Sequence, residues 1–187
     1  MRRLHPPLEL PPPARRAART LAFFPGSTIG NFEHDAARAF LAHLRELAGP
    51  GGLLLLGADS NTERASLERA YDDREGVTAA FDRNVLAHLN RTHAATFDPD
   101  AFAHRAVWNA PLSRIEMHLV SLRPQTLLVG GRPIHLDRGE PIVTEHCYKH
   151  PRPILAAMLA AAGWHVLRTD ADPLARMHLW LASSTPP

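Results

Sequence analysis

A single cysteine, Cys147, stands among 187 residues, so an internal disulfide framework is excluded. No apolar run reaches the roughly 20 residues that a membrane-spanning helix needs, and no secretory signal is visible. Together these absences favour a reducing cytoplasm. An excess of charge is also lacking, with a formal net charge of +2 when histidine is neutral. The arginines are spread along the chain, apart from Arg2, Arg3, Arg15, Arg16 and Arg19 near its start. A nucleic-acid groove shows a denser basic stripe with aromatics for stacking, so neither nucleic acid nor membrane is an expected partner. The 12 histidines and 17 prolines are high counts, yet they do not gather into a metal tract.

What remains is an ordinary globular composition, 45% apolar and 21% charged. That length suits one domain or a fragment of a larger unit, and composition does not separate the two. Residues 1–18 are too proline-rich for a helix or central strand and read as an extended connector. RTLAFFPG then gives an apolar run stopped by Pro25 and Gly26, as a buried strand would be. Ala37, Phe40, Leu41, Leu44 and Leu47 share one helical face, GPGG ends that helix, and LLLLGADS follows as a strand apolar enough for burial on both faces. Strand, helix and strand make a right-handed βαβ unit.

Residues 61–108 read as mainly helical, with Phe81, Val85 and Leu89 as core and Asp98-Pro99-Asp100 opening a further helix. From Arg114 the period changes to two. RIEMHLVSL and QTLLVGGRPIHL predict two strands of a hairpin or small antiparallel sheet. PRPILAAMLAAAGW predicts a helix ending at Gly163, and WHVLRTDADP and MHLWLASS predict two last strands. The expected fold class is α/β, and the element order resembles the C-terminal half of a doubly wound methyltransferase sheet carrying an inserted α+β domain. The first half of such a sheet would hold a glycine-rich cofactor loop and a ribose-binding acid, which these residues do not show.

Three stretches could carry chemistry. FFPGSTIGNF lies at the carboxyl end of a strand, where open α/β sheets bind ligands. Gly26 and Gly30 would allow close backbone approach, and Ser27, Thr28 and Asn31 offer polar groups, although Asn31 is equally suited to capping the next helix. The order G-S-x-x-G does not fit the G-x-S-x-G elbow of a serine hydrolase. In AYDDREGVTAAFDRNVLAHLNR, Tyr71 is either a hydrogen-bond donor for a carboxylate or a packing residue. In IVTEHCYKH, Glu145, Cys147 and Lys149 point to one side if the stretch is extended. That side could hold an imidazole between an acceptor and a donor. The rival use is a metal held by His146, Cys147 and His150, but neither a second cysteine pair nor an H-E-x-x-H helix accompanies them.

Taken in this order and spacing, FFPGSTIGNF, the Tyr71 segment, RIEMHLVS and TEHCYKH resemble the S-adenosylmethionine-dependent histidine Nα-methyltransferases of ergothioneine biosynthesis. The likeness runs from about Leu21 to Leu181. It implies trimethylation of the α-amine of L-histidine to hercynine, with S-adenosylmethionine as methyl donor and no metal. By position it implies that Asn31 contacts the amine region, that Tyr71 contacts the carboxylate, that Glu145 and Cys147 clasp the imidazole, and that Met117 lines the pocket. Gly26 and Thr28 would belong to the loop between cofactor and substrate. No catalytic nucleophile is implied, because a methyl sulfonium is already electrophilic and the enzyme has mainly to position the amine.

The resemblance also divides the chain, with a connector at 1–18, a partial Rossmann-like methyltransferase domain at 19–60 and 148–187, and an inserted substrate-binding domain at 61–147. Two departures accompany it. Cys147 stands where the family's Thr-Glu-Asn-Ser-Tyr-Lys has serine, and a thiol donates more weakly than a hydroxyl. The family's cofactor loop and ribose acid lie upstream of the connector, so activity is expected only where that half is supplied by a separate N-terminal chain or by an upstream coding segment. The alternatives are a non-catalytic remnant or histidine-binding module, and a methyltransferase of another small amine.

Overall fold

The computed structural model describes residues 19–187, and the connector expected at 1–18 lies outside the described residues. The chain forms two compact units. One comprises the residues up to Ser60 together with His150–Pro187, and the other is the contiguous segment Asn61–Lys149.

In the first unit, strand β1 (Leu21–Phe24) leads through a 3₁₀ turn (Thr28–Asn31) into helix α1 (His34–Ala48) and back to strand β2 (Leu53–Asp59). β1 and β2 pair in parallel, as a βαβ crossover requires. The chain returns to this unit as helix α4 (Arg152–Ala161) and strands β8 (His165–Ala171) and β9 (Met177–Ser183). The sheet order is β1-β2-β9-β8, and β9 runs antiparallel to both neighbours.

One face of this sheet carries the core. Leu54, Leu56, Trp180 and Ala182 meet Ala37, Leu41 and Leu44 of α1 and Leu155, Met158 and Leu159 of α4. The α1 residues recur at the helical spacing that keeps one stripe inward. Each fully buried leucine contributes roughly 1.5–3 kcal/mol relative to exposure. Trp164 closes the core, and its indole N–H donates to the carbonyl of Leu41 at 2.9 Å.

The opposite face departs from expectation. Leu21 and Phe23 of β1 are 52% and 63% exposed rather than buried. Leu53 and Leu55 of β2 are only half-buried, and Leu179 of β9 is exposed. The physical reason is that α1 and α4 pack on one side of the sheet, and β1 has a hydrogen-bonded neighbour on one side only among the described residues.

The second unit contains helices α2 (Arg64–Tyr71) and α3 (Val77–His93), then strands β3 (Phe102–Asn109), β4 (Arg114–Ser121), β5 (Gln125–Val129), β6 (Arg132–Leu136) and β7 (Pro141–Tyr148). β3, β4 and β7 form an antiparallel sheet in that order. β5 and β6 form a separate hairpin turned by Gly130 and Gly131, both at positive φ, as a two-residue hairpin turn requires. QTLLVGGRPIHL is therefore two strands paired with each other, not a partner for β4.

Two further expectations are overturned. Asp98 does cap a helical turn, accepting from the amide of Asp100 at 3.1 Å, but that turn is a 3₁₀ piece of three residues, Pro99–Ala101. The next eight residues are strand β3, held in unbroken register with β4 from Phe102↔Ser121 to Asn109↔Arg114. Phe81 and Val85 are exposed at 64% and 39%, so they are not core. The inward line of α3 runs instead through Asp82, Leu86 and Leu89. A polar residue leads that line because Asp82 has a partner on β3.

Candidate functional site

The loop after β1 is fixed by its own backbone. Gly26 and Ser27 both lie at positive φ, 78° and 59°, and Gly30 N–H donates to the Ser27 carbonyl at 2.9 Å. The Ser27 hydroxyl accepts from the amide of Asp59 at 2.7 Å, which ties the loop to the carboxyl end of β2. Gly57 of β2 makes this possible: a Cβ there would stand 3.0 Å from the Gly26 nitrogen. Gly26, Thr28 and Asn31 are all exposed on this loop. Asn31 does not cap α1, whose N-cap position is Glu33, so that rival role is removed. A Cβ on Gly26 would meet nothing within 4 Å, which leaves its backbone open to close approach.

In the second unit, the pairing of β4 with β7 sets Met117 opposite Glu145 and Ile115 opposite Cys147. Cross-strand partners share a face, and so do residues two apart on one strand. Met117, Glu145, Ile115 and Cys147 therefore occupy one face of the sheet. α2 packs on that face through Leu67, and Tyr71 at its C-terminal end joins the same cluster. The strands and helix thus bring together Tyr71, Met117, Glu145 and Cys147. Asn31, Gly26 and Thr28 belong to the other unit.

Lys149 follows directly on β7, is 2% exposed, and donates to the Tyr71 hydroxyl at 3.1 Å and to Cys147 Sγ at 3.5 Å. Its ammonium also lies 4.9 Å from the centre of the Tyr71 ring. Burial, reinforced by Cys147 and opposed by Lys149, pushes the Tyr71 phenol up to about 12. The phenol is therefore a hydrogen-bond donor at neutral pH. The other end of Tyr71 is held as well, because His104 Nε2 donates to its carbonyl at 2.8 Å while His104 Nδ1 meets Asp82 Oδ2 at 2.8 Å. Both members of this His–Asp pair are 1% exposed.

The pair went unrecognised in the sequence, where the one signal was a carboxylate at the spacing of Leu86 and Leu89. Lys149 was visible only as a member of the alternating trio. Among the described residues no group of three or more His, Cys, Asp or Glu side chains is placed to hold a metal ion. Among the same residues no helix is long and apolar enough to cross a membrane.

What such a face can do chemically is present one acceptor, Glu145, beside two donors, the Tyr71 hydroxyl and the weaker Cys147 thiol. That is an arrangement for a small polar molecule bearing an N–H at one end and an acceptor at the other. The α/β unit with its exposed loop at the strand ends and the α+β unit with this face define a two-unit α/β protein.

Comparison with known proteins narrows the class. The family model described as "Histidine-specific methyltransferase, SAM-dependent" matches residues 7–184, and the chain belongs to this family. The histidine N-alpha-methyltransferase of Mycobacterium tuberculosis is 44% identical over 90% of this chain and 53% of its own length. Its counterpart in Mycolicibacterium smegmatis is 43% identical over 88% of this chain and 52% of its own. The chain thus spans about half the length of the curated relatives it matches. An S-adenosylmethionine-dependent methyltransferase from Clostridium acetobutylicum superposes over 90% of this chain and 60% of its own at 9% identity, with a TM-score of 0.46. That likeness is too loose to add to the family match.

Proposed function

We propose that this chain supplies the histidine-recognising part of an S-adenosylmethionine-dependent Nα-methyltransferase, which converts L-histidine to its trimethylated betaine, hercynine. The observation that carries the reading is the convergence of Tyr71, Met117, Glu145 and Cys147 on one face, in a member of the histidine-specific family. Glu145 accepts an imidazole N–H, Cys147 meets the other ring nitrogen, Tyr71 donates to the carboxylate, and Met117 lines the pocket. Asn31 serves the amine region.

S-adenosylmethionine, when bound, supplies an electrophilic methyl group on sulfonium. The exposed Gly26 backbone and the neighbouring Thr28 hydroxyl fit one edge of that cofactor. The protein's own contribution is to hold a neutral amine in line with the methyl group. Positioning of this kind is worth roughly 7–11 kcal/mol of barrier lowering and requires no covalent nucleophile. Specificity follows from the polar groups of the face, since buried partners left unpaired by an analogue reject it by around 10⁴-fold.

The reading places the chain in the cytoplasm, with the remaining half of the methyltransferase sheet supplied either by an upstream segment or by another polypeptide. The uncovered apolar face that includes Leu21, Phe23 and Leu179 supports such a partner. The test mixes the full chain with the N-terminal portion of the M. tuberculosis relative, L-histidine and S-adenosylmethionine, and follows mono-, di- and trimethylhistidine by mass spectrometry. Absence of every methylated product, while the intact relative is active in the same buffer, refutes the enzyme reading. Binding of histidine without turnover would mark a histidine-binding module, and product from another amine alone would mark a different substrate.

A further inference from the structure

We infer that Lys149 is the residue that sets hydrogen-bond polarity on the histidine face, by occupying lone pairs of Tyr71 Oη and Cys147 Sγ and so leaving their own hydrogens to donate to the ligand. The inference rests on the proposed function and deepens it, because neither the family match nor the relatives' names assign this lysine a role.

An ammonium has three donors and no acceptor, so contacts of 3.1 Å to Tyr71 Oη and 3.5 Å to Cys147 Sγ have one possible direction. A phenol oxygen that accepts from Lys149 keeps one O–H, and a thiol sulfur in the same position keeps one S–H. Among the described residues the thiol hydrogen has the Tyr148 carbonyl at 3.9 Å, at the long end even for sulfur, and the neighbouring Tyr71 hydroxyl, whose oxygen already accepts from Lys149. Glu145, two residues along the same strand face, has acceptor oxygens.

With Lys149 in place the face reads donor, donor, acceptor. That pattern complements a carboxylate, an unprotonated ring nitrogen and a ring N–H. Without Lys149, both hydroxyl and thiol could turn to accept, and the face would lose its preference for the carboxylated ligand. The cation further favours that carboxylate and disfavours an imidazolium beside Cys147. The high phenol pKa agrees, since it keeps the Tyr71 hydrogen available.

Lys149 touches no reacting atom in this scheme and is a positioning residue. Its test is a binding experiment on the full chain with two probes, L-histidine and histamine, the second lacking the carboxylate. Calorimetric titration of the unaltered chain should show preference for L-histidine. Lys149→Met should weaken L-histidine by about tenfold or more while changing histamine much less, so the preference collapses. Tyr71→Phe should collapse it to a similar extent, and the double variant should be no worse than either alone.

A preference unchanged in Lys149→Met overturns the inference, as would an additive double variant. If Lys149→Met does not fold by circular dichroism, Tyr71→Phe decides alone, and an unchanged preference there overturns it equally. Failure of the unaltered chain to bind L-histidine at all would instead bring down the proposed function on which this rests. The two failures are thus distinguishable.

Discussion

Replacing His104 by alanine probes the support beneath Tyr71. A carbonyl oxygen can only accept, so His104 Nε2 must carry a hydrogen toward Tyr71, and one further proton lies between Nδ1 and Asp82 Oδ2. His104→Ala deletes both bonds. It leaves the Asp82 carboxylate, 1% exposed, without its one hydrogen-bond partner, since Oδ1 already has none among the described residues. Removing one member of a buried pair costs about 3–5 kcal/mol. Asp82→Asn should behave differently, because its amide can donate to Nδ1 while Nε2–H stays on the Tyr71 carbonyl. Its cost should stay under about 1 kcal/mol. With a urea m-value of roughly 2 kcal/mol/M, the unfolding midpoint should fall by roughly 1.5–2.5 M in His104→Ala and by under about 0.5 M in Asp82→Asn. Circular dichroism reads the midpoint, and hydrogen exchange over residues 64–109 should localise the loss to the second unit, since the two units need not unfold together. A loss below about 1 kcal/mol in His104→Ala would refute the reasoning, as would equal losses in the two variants.

Cys147→Ser restores a stronger donor and should tighten L-histidine by roughly 2- to 10-fold in calorimetry; no gain would sink the idea that the thiol weakens recognition. Gly57→Ala would place a Cβ 3.0 Å from the Gly26 nitrogen and should cost about 1–3 kcal/mol in thermal unfolding, because backbone cannot yield cheaply. Asp73 accepts from the amides of Thr78 and Val77 at the start of α3, and its bonds to Thr78 lead in lowering its carboxyl from 3.8 to about 2. A depressed carboxyl stabilises above its unfolded pKa, so this contribution should vanish as pH falls from about 4 to 2. Acid unfolding of Asp73→Asn should lack that component, and identical acid limbs would contradict it.

Much of the first unit was legible because its signals are local. Leu41 and Leu44 repeat at helical spacing, Gly49 ends the helix at positive φ, and the LLLL run can only be a buried strand or a helix too short to stand. The exposure of Phe23 was not legible, since which face of a sheet is covered depends on elements far away in sequence. β3 failed for the same reason. Asp98 gives a true cap signal, and only pairing with β4 decides that the chain continues as a strand. Asp82 hid the inward face of α3, because apolar periodicity cannot register a carboxylate buried by a histidine 22 residues later. Tyr71, Glu145 and Cys147 could be singled out by residue type and alternation, but the register that sets Met117 against Glu145 required the fold.

The second unit is one uninterrupted stretch, and its two junctions adjoin each other: the amide of His150 donates to the carbonyl of Asp59 at 2.8 Å. Excising the segment between them would therefore leave ends that a linker of about two residues could rejoin, given about 3.8 Å between successive Cα atoms. The second unit is consequently a cassette, removable or exchangeable at a single seam without rethreading the sheet that carries it.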